Sequence, residues 1–235
     1  MSRIRLTSDL HFQHPLVAKL RGFTKLDDRN LAGTPDGKPD LIGDTEAHDG
    51  VITENFNKGT RDDDLTIIAG DFAMNWKGAE AKLSRLRGRI ILIEGNHDIM
   101  SCIHKDGWKY RAAWTGEGKF EAIVAYMRRK TRHGEYLISH YPYTGDHTGT
   151  DRLTQYRLRD EGMWLAHGHT HSKEKFDEQS IKYYNSLSRA VGFPLEHPGR
   201  QVHIGLDAWD LHPVREEDVI DLMKSLDWER GKEQG

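Results

Sequence analysis

Gly95-Asn96-His97-Asp98, directly after the apolar run Ile90-Ile91-Leu92-Ile93, decides how this chain is read. An apolar run of that length bounded by Arg89 and Gly95 reads as a buried strand. An amide oxygen, an imidazole and a carboxylate therefore stand where the chain leaves a sheet, and in open α/β sheets that C-terminal edge is where ligands bind. Four further strand-like runs end in the same residue types. Residues 4–8 lead into Asp9-Leu10-His11, 65–69 into Gly70-Asp71, 135–139 into His140, and 163–166 into His167-Gly168-His169-Thr170-His171. Five strand ends thus bring Asp, Asn and His to one expected edge of an α/β fold.

At 235 residues the chain is long enough for one large α/β domain, and no Pro/Gly/Ser-rich linker divides it, so residues 1–235 are expected to form a single domain. A hydrophobic content of 36% and a mean hydropathy of -0.75 describe a soluble protein with a charged surface. No apolar run approaches the ~20 residues that cross a bilayer, and the N-terminus lacks a basic-then-apolar signal pattern, so a cytoplasmic protein without a membrane partner is expected. Cys102, the single cysteine, cannot form an internal disulfide and fits a reducing compartment. A net charge of -3 argues against long nucleic acid as a partner held mainly by charge. Fourteen dispersed histidines are the compositional anomaly, and they point to a metal site.

Between the strands, His14-Pro15 opens a short helix expected to carry Leu16, Val17 and Leu20 inward. Residues 22–43 read as a long loop beside the site. Asp44 is a suitable N-cap for a helix through about residue 58. Asp62-Asp63-Asp64 reads as a solvated acidic turn, and residues 77–87 as a helix. Trp108, Tyr110, Trp114, Phe120 and Tyr126 are expected to cover a sheet edge. The basic run 128–133 reads as a solvated hairpin in preference to an anion-binding patch. Residues 155–161 read as a short helical stretch. Ile181-Lys182-Tyr183-Tyr184 and residues 201–206 read as strands, and Pro213 precedes a final amphipathic helix burying Val219, Leu222, Met223 and Leu226.

Asp9 and His11, at i and i+2, would point to the same side of extended backbone, a spacing that suits a metal. With Asp71, Asn96, His140, His169 and His171 they form a set large enough to hold two divalent ions if one carboxylate bridges. Nitrogen and oxygen donors without thiolate suit Mn, Fe, Zn, Co or Ni, and disfavour Ca or a structural Cys-zinc site.

Asp9-x-His11, Gly70-Asp71, Gly95-Asn96-His97-Asp98, His140 and Gly168-His169-Thr170-His171, in this order, resemble the five motifs of the calcineurin-like metallophosphoesterase superfamily. Residues 8–14, Gly70-Asp71-Phe72-Ala73 and residues 205–209 with Pro213 resemble its small single-domain bacterial and phage members. Those often carry Asn where His203 stands, which leaves the role of His203 open. The resemblance implies a four-layer α/β/β/α sandwich and two divalent ions, Mn foremost with Fe, Zn, Ni or Co as alternatives. Asp9, His11 and His171 are assigned to the first ion, Asp71 to the bridge, and Asn96, His140 and His169 to the second. A metal-bridging hydroxide would attack phosphorus, His97 would protonate the leaving oxygen, and Asp98 would orient His97. His167 is left off the metals, because as a neighbour of His169 on extended backbone it would face away. The implied activity is a phosphodiesterase on small nucleotide diesters, with 2′,3′-cyclic nucleotides foremost. A phosphomonoesterase or a short-substrate nuclease would use the same site. A metal-bound scaffold without catalysis is disfavoured, since His97 and all seven ligand positions are present.

Overall fold

In a computed structural model of the protein, residues 2–28, 40–146, 151–176 and 199–233 are described. Strand β1 (Ile4–Thr7) is followed by helix α1 (Pro15–Leu20), the short strands β2 (Thr24–Leu26) and β3 (Leu41–Gly43), and helix α2 (Thr45–Asn57). Strand β4 (Leu65–Ala69), helix α3 (Trp76–Leu83), strand β5 (Arg89–Ile93), helix α4 (Trp108–Trp114) and strand β6 (Ala122–Val124) come next. Strands β7 (Tyr126–Thr131), β8 (Gly134–Ser139), β9 (Trp164–His167), β10 (Gln201–His203) and β11 (Val214–Arg215) precede the last helix, α5 (Glu216–Glu233).

The strands form two main sheets. The first runs β11-β1-β4-β5-β6, with β1, β4, β5 and β6 parallel and β11 antiparallel at the edge. The second runs β10-β9-β8-β7, with β8, β9 and β10 parallel and β7 returning as a hairpin. Strand alternation sends Leu6, Ile67, Ala69 and Ile93 to one face, where they pack with Ile138, Ala166 and Val202 of the second sheet. Val219, Ile220 and Met223 of α5 join this cluster. The opposite face of the first sheet, through Ile68, Ile90 and Leu92, packs on Ile52 and Phe56 of α2 and on Ala79 and Leu83 of α3. The molecule is thus a mixed α/β fold with parallel and antiparallel pairing. No helix among the described residues is long and apolar enough to cross a membrane.

Several local expectations are met. Asp44 caps α2 by accepting from the Glu46 and Ala47 amides, and the basic run lies in the β7–β8 hairpin, where Arg128 pairs with Glu135 and Arg129 with Glu216. Others are corrected. Helix α1 is only six residues long and buries Val17 and Ala18, leaving Leu16 and Leu20 60% and 74% exposed. The polar stretch 22–43 contains a two-stranded ladder, Thr24 opposite Gly43, too short to leave a periodic signal. Asp64 is buried because Arg3 donates to it from both backbone and guanidinium, and the Arg61 amide adds a third source. Trp108 and Tyr110 are exposed on α4 instead of covering a sheet edge. Helix α3 stops at Leu83, and the stretch expected to be helical at 155–161 is a single 3-10 turn, Thr154–Tyr156. Strand β10 stops at His203. The strand expected at 181–184 lies outside the described residues.

Candidate metal centre

The tails of the parallel strands stay paired after the strands end. The Asp9 amide donates to the Gly70 carbonyl at 3.0 Å, His11 to Asp71 at 2.9 Å and Phe12 to Phe72 at 3.0 Å, so the two loops advance in register. Across the second sheet the Gly168 amide donates to His140 at 3.0 Å. The ligand-bearing residues do not sit on extended backbone as the i, i+2 reading supposed. Asp9, His11, Asp71, His169 and His171 have φ of 58°, 48°, 55°, 69° and 50°. Non-glycine residues rarely adopt this left-handed region, at a cost of about 1–3 kcal/mol each, and they cluster where function demands it. Alternating the left-handed residue with a core residue such as Leu10 still aims Asp9 and His11 to one side, which is why the spacing worked for a different geometric reason.

Hydrogen bonds from elsewhere hold the strained run. The buried Arg21 guanidinium donates to the carbonyls of Asp9 (2.8 Å) and Leu10 (3.4 Å), and Asp49 accepts from the Gln13 amide at 3.1 Å. Arg21 also donates to both oxygens of Asp207, at 2.9 and 2.8 Å.

All seven residues expected to hold metal converge. Ligand atoms of Asp9, His11 and His171 lie within 4.8 Å of one another, as do those of Asp9, Asp71 and His140. His11 Nε2 and His171 Nε2 face each other at 3.0 Å. Two nitrogens each ~2.1 Å from one ion stand ~3 Å apart when they subtend a right angle, so this spacing fits a shared cation. Asn96 Oδ1 lies 3.0 Å from His140 Nε2 and 2.9 Å from His169 Nδ1. Asp71 Oδ2 is 3.5 Å from His11 Nε2 and 3.6 Å from His140 Nε2, between the two groups.

The outward nitrogens of three imidazoles are already engaged. His140 Nδ1 donates to the Ala69 carbonyl at 2.9 Å, His171 Nδ1 to Asp207 at 3.1 Å, and His169 Nε2 faces Asp146 at 3.4 Å. Each ring is left with a lone pair directed into the cluster, the arrangement by which carboxylates and carbonyls orient metal-binding histidines. Burial, with neighbouring His140, lowers His169 to about 3, and burial with His171 holds His11 well below its ordinary value. Neutral imidazoles are what a cation needs. His171 is the exception: burial opposes its charge, but the hydrogen bond to Asp207 and the charge of Asp9 outweigh it and raise its pKa. The donor set therefore fits a metal site.

His97 lies at the rim, half-buried. Its amide donates to Asp71 Oδ1 at 2.9 Å, and its ring is 5.3 Å from that of His11. Asp98 does not orient the His97 ring. It is fully buried and accepts from the amides of Asp71 (3.0 Å), Phe72 (2.9 Å) and Gly95 (2.7 Å), tying the β4 and β5 loops together. Burial, with the Asp71 charge second, raises it to about 7. Gly95 is required there, since a Cβ would overlap the Asp71 carboxylate. His167 does face away from the cluster: its Nδ1 donates to the Gly168 carbonyl and its ring lies 5.5 Å from that of His203. His203 is buried behind Asp9, with Nε2 4.0 Å from Asp9 Oδ2.

Arg21 and Asp207 were not legible as site residues. Arg21 gives no sequence signal, and only the stretch Gly205-Leu206-Asp207-Ala208-Trp209 hinted at Asp207.

No family model matches the chain. Among solved structures, a protein of unknown function from Aquifex aeolicus is similar in fold, with a TM-score of 0.58 at 19% identity, covering 94% of this chain and 100% of that one. The gene 66 protein of Mycobacterium phage D29 is 34% identical over 238 residues, covering 96% of this chain and 100% of the relative. The gene 66 protein of Mycobacterium phage L5 is 32% identical, covering 98% and 99%. With that identity sustained over nearly the full length of both chains, the protein belongs to the family of the mycobacteriophage gene 66 proteins.

Proposed function

We propose that the protein is a single-domain metallophosphoesterase of the calcineurin-like type, built as a four-layer α/β/β/α sandwich and working on small phosphodiesters in the cytoplasm. The observation that carries this reading is the orientation of the site imidazoles: His140, His169 and His171 each turn one nitrogen to a carbonyl or carboxylate and the other into a cluster with Asp9, Asp71, Asn96 and His11. Asp9, His11 and His171 would hold one divalent ion, Asn96, His140 and His169 a second, and Asp71 both. Manganese is the first candidate for a donor set of carboxylate, imidazole and amide oxygen. When bound, such a pair supplies a nucleophile from water near neutral pH and neutralises charge on the phosphate. The chain's own part is placement. The left-handed loops fix the ligands, Asp98 and Arg21 fix the loops, and His97 stands beside the cluster where it gives a proton to the departing oxygen.

The leading substrates are diesters, 2′,3′-cyclic nucleotides foremost, in which one ester oxygen leaves as a ribose hydroxyl that His97 can protonate, a role it would equally serve on a monoester. The test compares kcat/KM for a diester and its matching monoester in saturating Mn²⁺. The diester should be turned over faster. A monoester preferred tenfold, about 1.4 kcal/mol in transition-state stabilisation, would replace the phosphodiesterase by a phosphatase.

A further inference from the structure

Beside His97 lies an open cleft of about 540 Å³. His97 forms one edge of it, and Met74, Trp76, Ile99, His104 and Tyr110 supply most of the remaining wall. None of the seven residues of the metal cluster lines it. Its size falls within the ordinary range for small-molecule sites. Two of its apolar side chains are unusually open to solvent, Met74 at 48% and Tyr110 at 42%. The wall is fixed to His97: the Trp76 indole donates to the His97 carbonyl at 3.0 Å and packs edge-on to Trp114, ring centroids 4.7 Å apart.

If the phosphate sits on the metal cluster with its leaving oxygen at His97, the group attached to that oxygen extends into this cleft. Resting on the proposed phosphoesterase reading, we propose that the cleft is the leaving-group subsite and takes a nucleoside, its base stacked on Tyr110 and Met74. The lining favours a flat ring with a polar rim. Aromatic and thioether surfaces stack on a base whatever its identity, and Asn75 and His104 bring hydrogen-bonding groups to its edge. A long alkyl chain would leave those groups unmatched. Among the described residues, Lys77 is the one Lys or Arg of the lining that could meet a second phosphate, and Asp106, paired with Lys109 at 2.8 Å, brings a negative charge to the same wall.

The experiment uses the Mn-loaded full chain and two diesters that share the five-membered cyclic phosphate, adenosine 2′,3′-cyclic phosphate and ethylene phosphate. The ratio of their kcat/KM values should favour the nucleotide by at least about a hundredfold. It should fall at least about tenfold in Tyr110→Ala and, separately, in Met74→Ala. A ratio that stays put in both variants while both esters are hydrolysed overturns the subsite. If neither ester is hydrolysed, the phosphodiesterase reading fails and free adenosine decides the subsite by saturation-transfer NMR. Transfer to the adenine protons that is lost in Tyr110→Ala upholds the cleft as a nucleoside site, and transfer that persists in that variant, or is absent in the parent chain, overturns it.

Discussion

An imidazole can take a cation only through an unprotonated nitrogen, and here the proton's place is set by a neighbour at His140, His169 and His171. His171 depends on Asp207, which is itself held by Arg21. Asp207→Ala frees the His171 ring to rotate and removes the acceptor that fixes its tautomer. Affinity for one divalent ion should fall about 10–100-fold, the usual effect of losing such an outer partner, as calorimetric titration of the metal-stripped protein would register. An unchanged isotherm would separate Asp207 from the metals. His97 donates to Asp71 through its backbone amide, and its ring stands edge-on to those of His11 and His14. His97→Ala should keep the metal content and lower kcat by roughly 10²–10⁴, with a smaller loss on esters of nitrophenol, which leave without a proton. Equal losses on good and poor leaving groups would contradict the acid role.

At the scale of elements, the site is a set of loops held in costly backbone, and Asp98 fastens the two that follow β4 and β5. Replacing it by Asn puts an NH₂ or a weaker acceptor against the amides of Asp71, Phe72 and Gly95. Asp98→Asn should lower unfolding free energy by about 1–3 kcal/mol, the cost of leaving a buried donor unsatisfied, as read by urea denaturation. A midpoint equal to the parent's would mean that other contacts hold these loops. The five strand ends were readable in the sequence because each ligand type follows its apolar run directly, and residue order along the chain carries that information. What the sequence withheld depends on partners distant in the chain. Asp9 and His11 reach one side through left-handed backbone, which no pattern of residue types specifies. Arg21 meets Asp207 across 186 residues, and Asp64 looked solvated until Arg3 was brought onto it. Asp98 had the right place and a different task.

For the whole molecule, burying neutral histidines makes the metal-free fold sensitive to acid. Burial, first of all, lowers His167 and His169 to about 3 and His203 to about 4, from the ordinary 6.5. Above that value neither folded nor unfolded chain protonates these rings, so they leave stability unaffected. As pH falls through 6.5 the unfolded chain binds protons that the folded chain refuses, and stability declines until the folded values are reached. His171, raised by Asp207, acts oppositely: its contribution is present below 6.5 and lost as pH rises through its folded value. Asp98 also works against the decline, because burial raises its carboxyl to about 7 and the folded chain takes up that proton first. With His11 lowered as well, four rings outweigh His171 and Asp98, and the melting temperature of the metal-stripped protein should drop between pH 7 and pH 5. A constant melting temperature would mean that these rings are not buried neutral. The central claim, that the meeting edge of the two sheets holds a pair of divalent ions bridged by Asp71, is tested most directly by elemental analysis after Mn²⁺ loading and gel filtration. The account predicts close to two ions per parent chain and fewer than one in Asp71→Ala. A parent chain that emerges without metal, or an Asp71→Ala chain that keeps both ions, would contradict it.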